Sequence, residues 1–406
     1  MGDDRENLTK GNASASAEGN LNTNLETGLE RCVRCTLPIT WETIYFDDDG
    51  VCNICKNWNT KQNVINWEER EKQLLDIFNE VKNRKNSYDC IVPFSGGKDS
   101  TFTLWAIVRK YGLKPLVVSF DHGFYRPKTV ENRTRTFRKL GVDVITFTPN
   151  WQVVKKLMLE ALIRKGDFCW HCHAGVFAYP MQIAVKFEIP LLIWGEGGGE
   201  YEAYFKYEDI EETDEWKFNR RIIMGMRAED MAGFIGVELR ELQTFIYPAK
   251  EELERVGIKS IPLGNFIPWD VKKHVEIIKK ELGWMEDEIE SGFPGQTYEK
   301  IECMFTGVRD YIKYLKRGFA RITHLTTLDI KHGRMSRDEA MGLIRKYEGR
   351  KPKSLGVLLE YLDINEEEFN EIVLRHLIPP AKPINPKTLL EGNKLWDQDL
   401  WFREDK

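Results

Sequence analysis

No apolar stretch in this chain approaches the ~20 residues that a bilayer-spanning helix needs. The first 28 residues, rich in Asn, Gly, Ser, Thr and Glu, contain no apolar core of the kind an export signal carries. The expectation is a flexible tail on a cytoplasmic protein with no membrane partner. A basic excess is also missing: 59 Lys and Arg stand against 64 Asp and Glu, a net charge of −5, so a nucleic-acid partner is not expected. There is no internal repeat. Eight cysteines in 406 residues are too few for a disulfide scaffold and point instead to metal binding or catalysis in a reducing compartment. With 42% hydrophobic and 30% charged residues, the chain has the means to bury two or three ordinary domains.

Four of the cysteines are regularly spaced. Cys32-Val33-Arg34-Cys35 and Cys52-Asn53-Ile54-Cys55 form two C-x2-C knuckles sixteen residues apart. Each knuckle brings two thiolates to one ion, and two knuckles close a tetrahedral site, so a structural zinc held by Cys32, Cys35, Cys52 and Cys55 is expected. Between them, Asp47-Asp48-Asp49-Gly50 reads as a turn after the strand-like residues 43–46.

Beyond residue 62 the pattern alternates. An amphipathic helix fits 67–86, and strands fit 90–94, 115–120, 142–147 and 190–194. Helices fit 101–108, 127–140, 151–165 and about 174–187. This is the signature of an α/β fold, a doubly wound parallel sheet that binds ligands beyond the carboxyl ends of its strands. Past about residue 205 the reading turns mainly helical, with segments at 336–348 and 353–375. The expected organisation is a tail (1–28), a four-cysteine module (29–62), a nucleotide domain (63–205) and a mainly helical substrate or assembly region (206–406).

Ser95-Gly96-Gly97-Lys98-Asp99-Ser100 lies between the first strand and its helix. Two glycines let the backbone approach an anion, and the unpaired N–H groups at a helix start, the two hydroxyls and Lys98 converge on it. The loop is not G-x-x-x-x-G-K-[ST], because Val92 stands where the first glycine would be. It resembles the SGGxDS pyrophosphate loop of the N-type ATP pyrophosphatases, which split ATP between its α and β phosphates. Lys98 and Asp99 are then the candidate catalytic residues. Ser95, Gly96, Gly97 and Ser100 would bind the pyrophosphate oxygens, with Asp99 holding Mg²⁺ or fixing the loop. Asp121, at the end of the second strand, either meets the nucleoside or forms a turn with His122-Gly123. Glu196 and Glu200 either serve Mg²⁺ or line an entrance. Arg317, Arg321 and Lys331 either reach phosphates or form a solvated helix face. Cys169-Trp170-His171-Cys172-His173 reads as an active-site loop, with a metal cluster that adds Cys303 as the alternative.

The same loop, the knuckle segments 31–38 and 46–55, Cys169 to Cys172, Trp194-Gly195-Glu196 and the segment 332–340 together carry a more specific likeness. From about residue 30 the chain resembles the N-acetyl sugar amidotransferases of bacterial surface-polysaccharide and nonulosonic-acid pathways. That resemblance implies an adenine nucleotide alpha-hydrolase-like fold and a ligase using ATP and Mg²⁺. A nucleotide-linked or free N-acetylated sugar acid, or its acetamido group, would be adenylated and ammonia would displace AMP, giving an amide or amidine for lipopolysaccharide or O-antigen. Gly2 follows Met1, and no cysteine sits in a G-x-C-x-G elbow, so ammonia is expected from a separate glutaminase subunit. The alternatives are a tRNA thiolase in which Cys169 or Cys172 handles sulfur, and a non-catalytic nucleotide-binding scaffold subunit.

Overall fold

The computed structural model describes residues 29–84, 87–197, 212 and 214–381. The expected tail 1–28 and Glu200 lie outside the described residues. Five strands form one sheet: β1 (Cys90–Pro93), β2 (Pro115–Phe120), β3 (Asp143–Phe147), β4 (Leu191–Trp194) and β5 (Lys259–Pro262). Their order is β3-β2-β1-β4-β5 and every pairing is parallel. β1 and β2 are buried along their whole length, which is why they read as unbroken apolar runs rather than alternating ones. The order reverses between β1 and β4, and that switch point opens the crevice in which such sheets bind ligands.

Helices cover both faces. α1 (Asn53–Asn63) belongs to the cysteine module, while α2 (Trp67–Lys82) and α3 (Lys98–Trp105) pack on one face of the sheet, α3 continuing into a π-turn at Ala106–Lys110. α4 (Pro127–Leu140), α5 (Trp151–Lys165) and α6 (Trp170–Phe187) follow, each ended by a left-handed residue: Gly141, Gly166 and Glu188. α7 (Ala228–Ile235), α8 (Lys250–Val256) and α9 (Val271–Leu282) lead through β5 into α10 (Thr306–Arg317), α11 (Arg321–Lys331), α12 (Arg337–Tyr347), α13 (Ser354–Leu362) and α14 (Glu366–Leu374). One core joins α2, α3 and α9 to the sheet, and a second joins α5, α6 and α7 to its other face. The opposite side of α5 packs on α10, α13 and α14 in a third core, so the C-terminal helices are docked on the sheet domain.

Three features differ from the sequence reading. β5 comes from the region read as mainly helical; four residues ending in Pro262 carry no readable period, and an edge strand tolerates proline. The helix read at 353–375 is two, broken where Asp363 takes φ +56° and Asn365 caps the next helix through Glu368 N. The helix read from 174 begins at Trp170, inside the cysteine–histidine cluster.

Candidate nucleotide site and metal centre

β1 ends at Pro93 and α3 begins at Lys98, so residues 94–97 turn over the switch point with Gly97 as helix cap. Gly96 has φ +94°, a conformation that favours glycine. The loop is held from behind by its carbonyls. Arg133 Nη1 donates to Phe94 O and Ser95 O at 3.3 Å each, and Trp284 Nε1 donates to Gly96 O at 3.2 Å. The N–H groups are left facing inward, where Ser95 N and Gly96 N meet Ser100 Oγ at 3.3 and 3.1 Å and Gly97 N meets Ser95 Oγ at 3.3 Å. Hydroxyls thus occupy the donors that an anion would take.

Gly96 is also required sterically, while Gly97 faces the mobile tip of a carboxylate. A Cβ on Gly96 would lie 2.6 Å from Arg133 Cγ, and one on Gly97 2.7 Å from Glu302 Oε2. We expect Gly96→Ala to weaken binding of a non-hydrolysable ATP analogue about tenfold or more, ~1.4 kcal/mol, by calorimetry. Gly112→Ala, at φ +62° with nothing within 4 Å, should leave that binding unchanged.

Lys98 is buried, and its Nζ lies 2.5 Å from Asp99 Oδ2 and 2.9 Å from Glu299 Oε2. Burial alone would push the ammonium's pKa down, but Asp99, Glu299 and Glu196 hold it well above the usual lysine value. Glu299 is also reached by Arg321 at 3.6 Å, and Arg321 pairs with Asp310 through two 3.0 Å bonds. Arg321 is therefore neither on a solvated face nor free for phosphate. Arg317 is buried against Glu42, and Lys331 sits 5.7 Å from the Trp58 ring.

Asp99 Oδ1 and Glu196 Oε2 are buried and have no hydrogen-bond partner among the described residues. Two unsatisfied carboxylate oxygens beside the loop are the donor type that Mg²⁺ takes, so these residues fit that ion. Burial, then the Asp99 charge, pushes the Glu196 pKa up to about 7. Below that value the folded state keeps the proton that the unfolded chain has lost, so this group makes stability fall as pH rises towards 7. Its charge appears only above it. Metal-dependent nucleotide binding should therefore strengthen between about pH 6 and 8, and Glu196→Gln should flatten the profile. A flat wild-type profile would contradict this.

Asp121 accepts from Gly123 N at 2.9 Å and from Thr148 Oγ1 at 3.2 Å, the turn-forming arrangement. Cys169 precedes α6 and Cys172 lies in its first turn; the segment carrying Cys303 packs there through Phe168 on Phe305 (6.2 Å) and Arg309 on Asp167 (3.3 Å). The fold thus brings the segment of Cys303 beside Cys169 and Cys172, although among the described residues only the knuckle sulfurs cluster within 4.8 Å of one another. Burial raises the pKa of all three and lowers His171 to about 4 and His173 to about 3, so the imidazoles are neutral. Glu299, Glu302, Arg133 and Trp284 are absent from the sequence reading, and no local motif marks them.

The four knuckle cysteines are buried with their sulfurs within 4.8 Å of one another, a cluster able to hold a metal. Cys35 Sγ and Cys52 Sγ are 3.8 Å apart, the edge of a tetrahedron with ~2.3 Å zinc–sulfur bonds. Backbone N–H groups of Arg34, Cys35 and Cys52 point at Cys32 Sγ at 3.2–3.5 Å, the outer contacts a thiolate site needs. The module is tied to the C-terminal helices. Arg337 Nε donates to Cys32 O and Cys35 O at 3.2 and 3.0 Å, and Thr40 and Arg317 exchange two 2.6 Å bonds.

Fold and loop together define an α/β protein with a doubly wound parallel sheet and a loop of the pyrophosphate type. Residues 293–383 match the family model of the C-terminal domain of WbpG-like lipopolysaccharide-biosynthesis proteins. The chain is 25% identical over 151 residues to an uncharacterised protein of Methanocaldococcus jannaschii, covering 37% of this chain and 51% of that one. It is 31% identical over 87 residues to the glutamine-hydrolysing GMP synthase of Pyrobaculum aerophilum, covering 21% of this chain and 17% of the synthase. The matches thus span about half of the first relative and under a fifth of the second. Among solved structures, a U34-tRNA thiolase, NcsA, from Methanococcus maripaludis with its [4Fe-4S] cluster aligns over 90% of this chain and 95% of its own, at 12% identity and a TM-score of 0.31. The loop and the synthase match support the pyrophosphate-loop superfamily. No helix among the described residues is long and apolar enough to cross a membrane.

Proposed function

We propose that this chain is an ATP-dependent, AMP-forming synthetase that adenylates an N-acetylated sugar acid, or its acetamido oxygen, and passes the activated carbon to ammonia. The acceptor oxygen attacks the α-phosphorus, the α–β bond breaks and pyrophosphate leaves; ammonia then attacks the carbon and AMP departs. The loop N–H groups with Ser95 and Ser100 hold the pyrophosphate oxygens, and Lys98 offsets the charge that develops on them. Mg²⁺ on Asp99 and Glu196 would supply further charge neutralisation, and zinc on the four cysteines would be structural. A separate glutaminase in the cytoplasm is the ammonia source.

The observation that carries this reading is where the WbpG-like segment meets the loop. From within 293–383, Glu299 pairs with Lys98 at 2.9 Å and Glu302 abuts Gly97. A segment matched to lipopolysaccharide biosynthesis thus abuts the loop proposed to bind the nucleotide. The test is to incubate the chain with ATP, Mg²⁺, ammonium and a panel of free and nucleotide-linked acetamido uronic acids. Acceptor-dependent AMP and an amide or amidine product are expected, without glutamine turnover. Acceptor-dependent ADP would overturn the reading.

The three thiols gathered beside α6 favour a second reading, a tRNA thiolase. AMP formation that depends on added tRNA and not on sugar would establish it.

A further inference from the structure

α11 presents Arg321, His324, Leu328 and Lys331 at three- and four-residue spacing, the interval that places side chains on one helix face. The first of them stands one carboxylate from the loop lysine, because Glu299 lies between Arg321 (3.6 Å) and Lys98 (2.9 Å). From 321 to 331 the stripe runs on the order of 15 Å.

Other cations join it from neighbouring elements. Lys313 of α10 lies 4.4 Å from the Trp41 ring and 4.7 Å from Phe319, and the Trp41 ring stands 5.6 Å from that of His324. Lys300, next to Glu299, takes φ +51°, a strained backbone for a lysine. His324 registers the combined field: burial first, then the charges of Arg321, Lys313, Lys300 and Lys331, hold its pKa well below the ordinary imidazole value.

Lys300, Lys313 and Lys331 have no carboxylate at ion-pair distance among the described residues, in contrast to Lys98, Lys272 and Lys351. Acid is not absent: Asp310 and Glu299 face Arg321, and Glu42 faces Arg317 and Lys313. Those carboxylates are engaged by the arginines. A second observation points to a ligand. The indole Nε1 of Trp41, a residue 5% exposed, donates to nothing among the described residues. A buried donor beside lysines that lack a carboxylate at ion-pair distance is satisfied by an anionic acceptor and by no further cation.

We propose that the face formed by Lys300, Lys313, His324 and Lys331, with the Trp41 indole, binds the anionic part of the acceptor, a phosphate or carboxylate group, and leads it to the pyrophosphate loop. The inference rests on the synthetase reading for the identity of the acceptor, but the binding site is tested separately. Several lysines spread over this length suit a diphosphate-linked sugar better than a single carboxylate.

The experiment uses the full chain, with the ATP site filled by a non-hydrolysable analogue and Mg²⁺. Binding of two probes, UDP-N-acetylglucosamine and free N-acetylglucosaminuronic acid, is measured by calorimetry at low and at physiological salt. At least one probe should bind, more weakly at higher salt. Lys331→Gln and Lys313→Gln should each weaken it about tenfold while analogue affinity is unchanged, and Lys331→Arg should restore most of it. Tighter binding of the UDP-sugar assigns the anion as diphosphate; tighter binding of the free acid assigns it as carboxylate. The proposal is overturned if neither probe binds the wild type, or if both Gln variants bind as the wild type does. A wild type that binds a probe through Lys331 but never forms AMP would retain the site and reject the synthetase reading. Unchanged KM for a turned-over acceptor in both variants would do the reverse.

Discussion

Replacing Lys98 by alanine is expected to remove AMP formation by a factor of about 10²–10³ or more, the loss typical of deleting one preorganised charge from a site where negative charge develops. The structural setting adds a second effect. Lys98 is buried between Asp99 at 2.5 Å and Glu299 at 2.9 Å, so its removal leaves two carboxylates facing each other in a buried space. Breaking such a pair costs about 3–5 kcal/mol. The variant should therefore unfold at lower denaturant than the wild type at neutral pH. The deficit should shrink under acid as the carboxylates protonate. The double variant Lys98→Ala/Glu299→Gln separates the two effects, recovering stability without recovering AMP formation. If activity returned with stability, Lys98 would be structural. If Lys98→Ala retained full acceptor-dependent AMP formation, the loop would not carry the chemistry. Were the chain a nucleotide-binding scaffold, partner assembly would survive Lys98→Ala and no AMP would form even in the wild type.

The same residues show what a linear sequence can reveal. The loop at 95–100 is contiguous, so its glycines, hydroxyls and lysine are legible, as are β2 at Pro115–Phe120 and the helices Pro127–Leu140 and Trp151–Lys165. Those helices carry their own stop signals in Gly141 and Gly166, which take left-handed φ. Of the groups that set the charge of Lys98, Asp99 is its neighbour in sequence, but Glu299 and Glu196 are not contiguous with it. Glu299 and Glu302 lie about two hundred positions away, in a stretch with no helical or strand period, and meet the loop only when α10 and α11 dock. Asp121 shows the other side. Its chemistry suits a nucleoside, yet its two oxygens are engaged by Gly123 N and Thr148, a local demand that residue type alone cannot rank. The basic stretch 317–331 needs the fold in the same way. Spacing puts Arg321 and Lys331 on one face, but only the docked carboxylates show which of these charges is already paired.

Cys52→Ser should release the metal of the knuckle site and, with it, the docking of the helices that bring Glu299 to Lys98. Four buried thiols with a 3.8 Å sulfur–sulfur edge should hold about one zinc per chain, measurable by elemental analysis. The module has little else to hold it: beyond the cysteines, its core is Leu37, Trp41 and Ile54 packed on Phe319. Its attachments run through Arg337 to the carbonyls of Cys32 and Cys35, and through Thr36 to Thr323, Thr326 and Thr327 of α11. α11 in turn supplies Arg321 to Glu299, and Glu299 reaches Lys98. Losing the ion should therefore loosen α11 and α12 before it disturbs the sheet. Even ~3 kcal/mol of lost stability corresponds to a fall of about 6–12 °C in Tm for a domain of this size. Hydrogen exchange should rise in 321–347 and stay low in β1 and β2. Analogue affinity should fall less than AMP formation, because the loop backbone is held by Arg133 and Trp284 while the Lys98–Glu299 contact depends on the docked helices. Cys303→Ser should keep the zinc. A Cys52→Ser protein with full metal content, or with unchanged exchange in 321–347, would show that the knuckles do not anchor the C-terminal half.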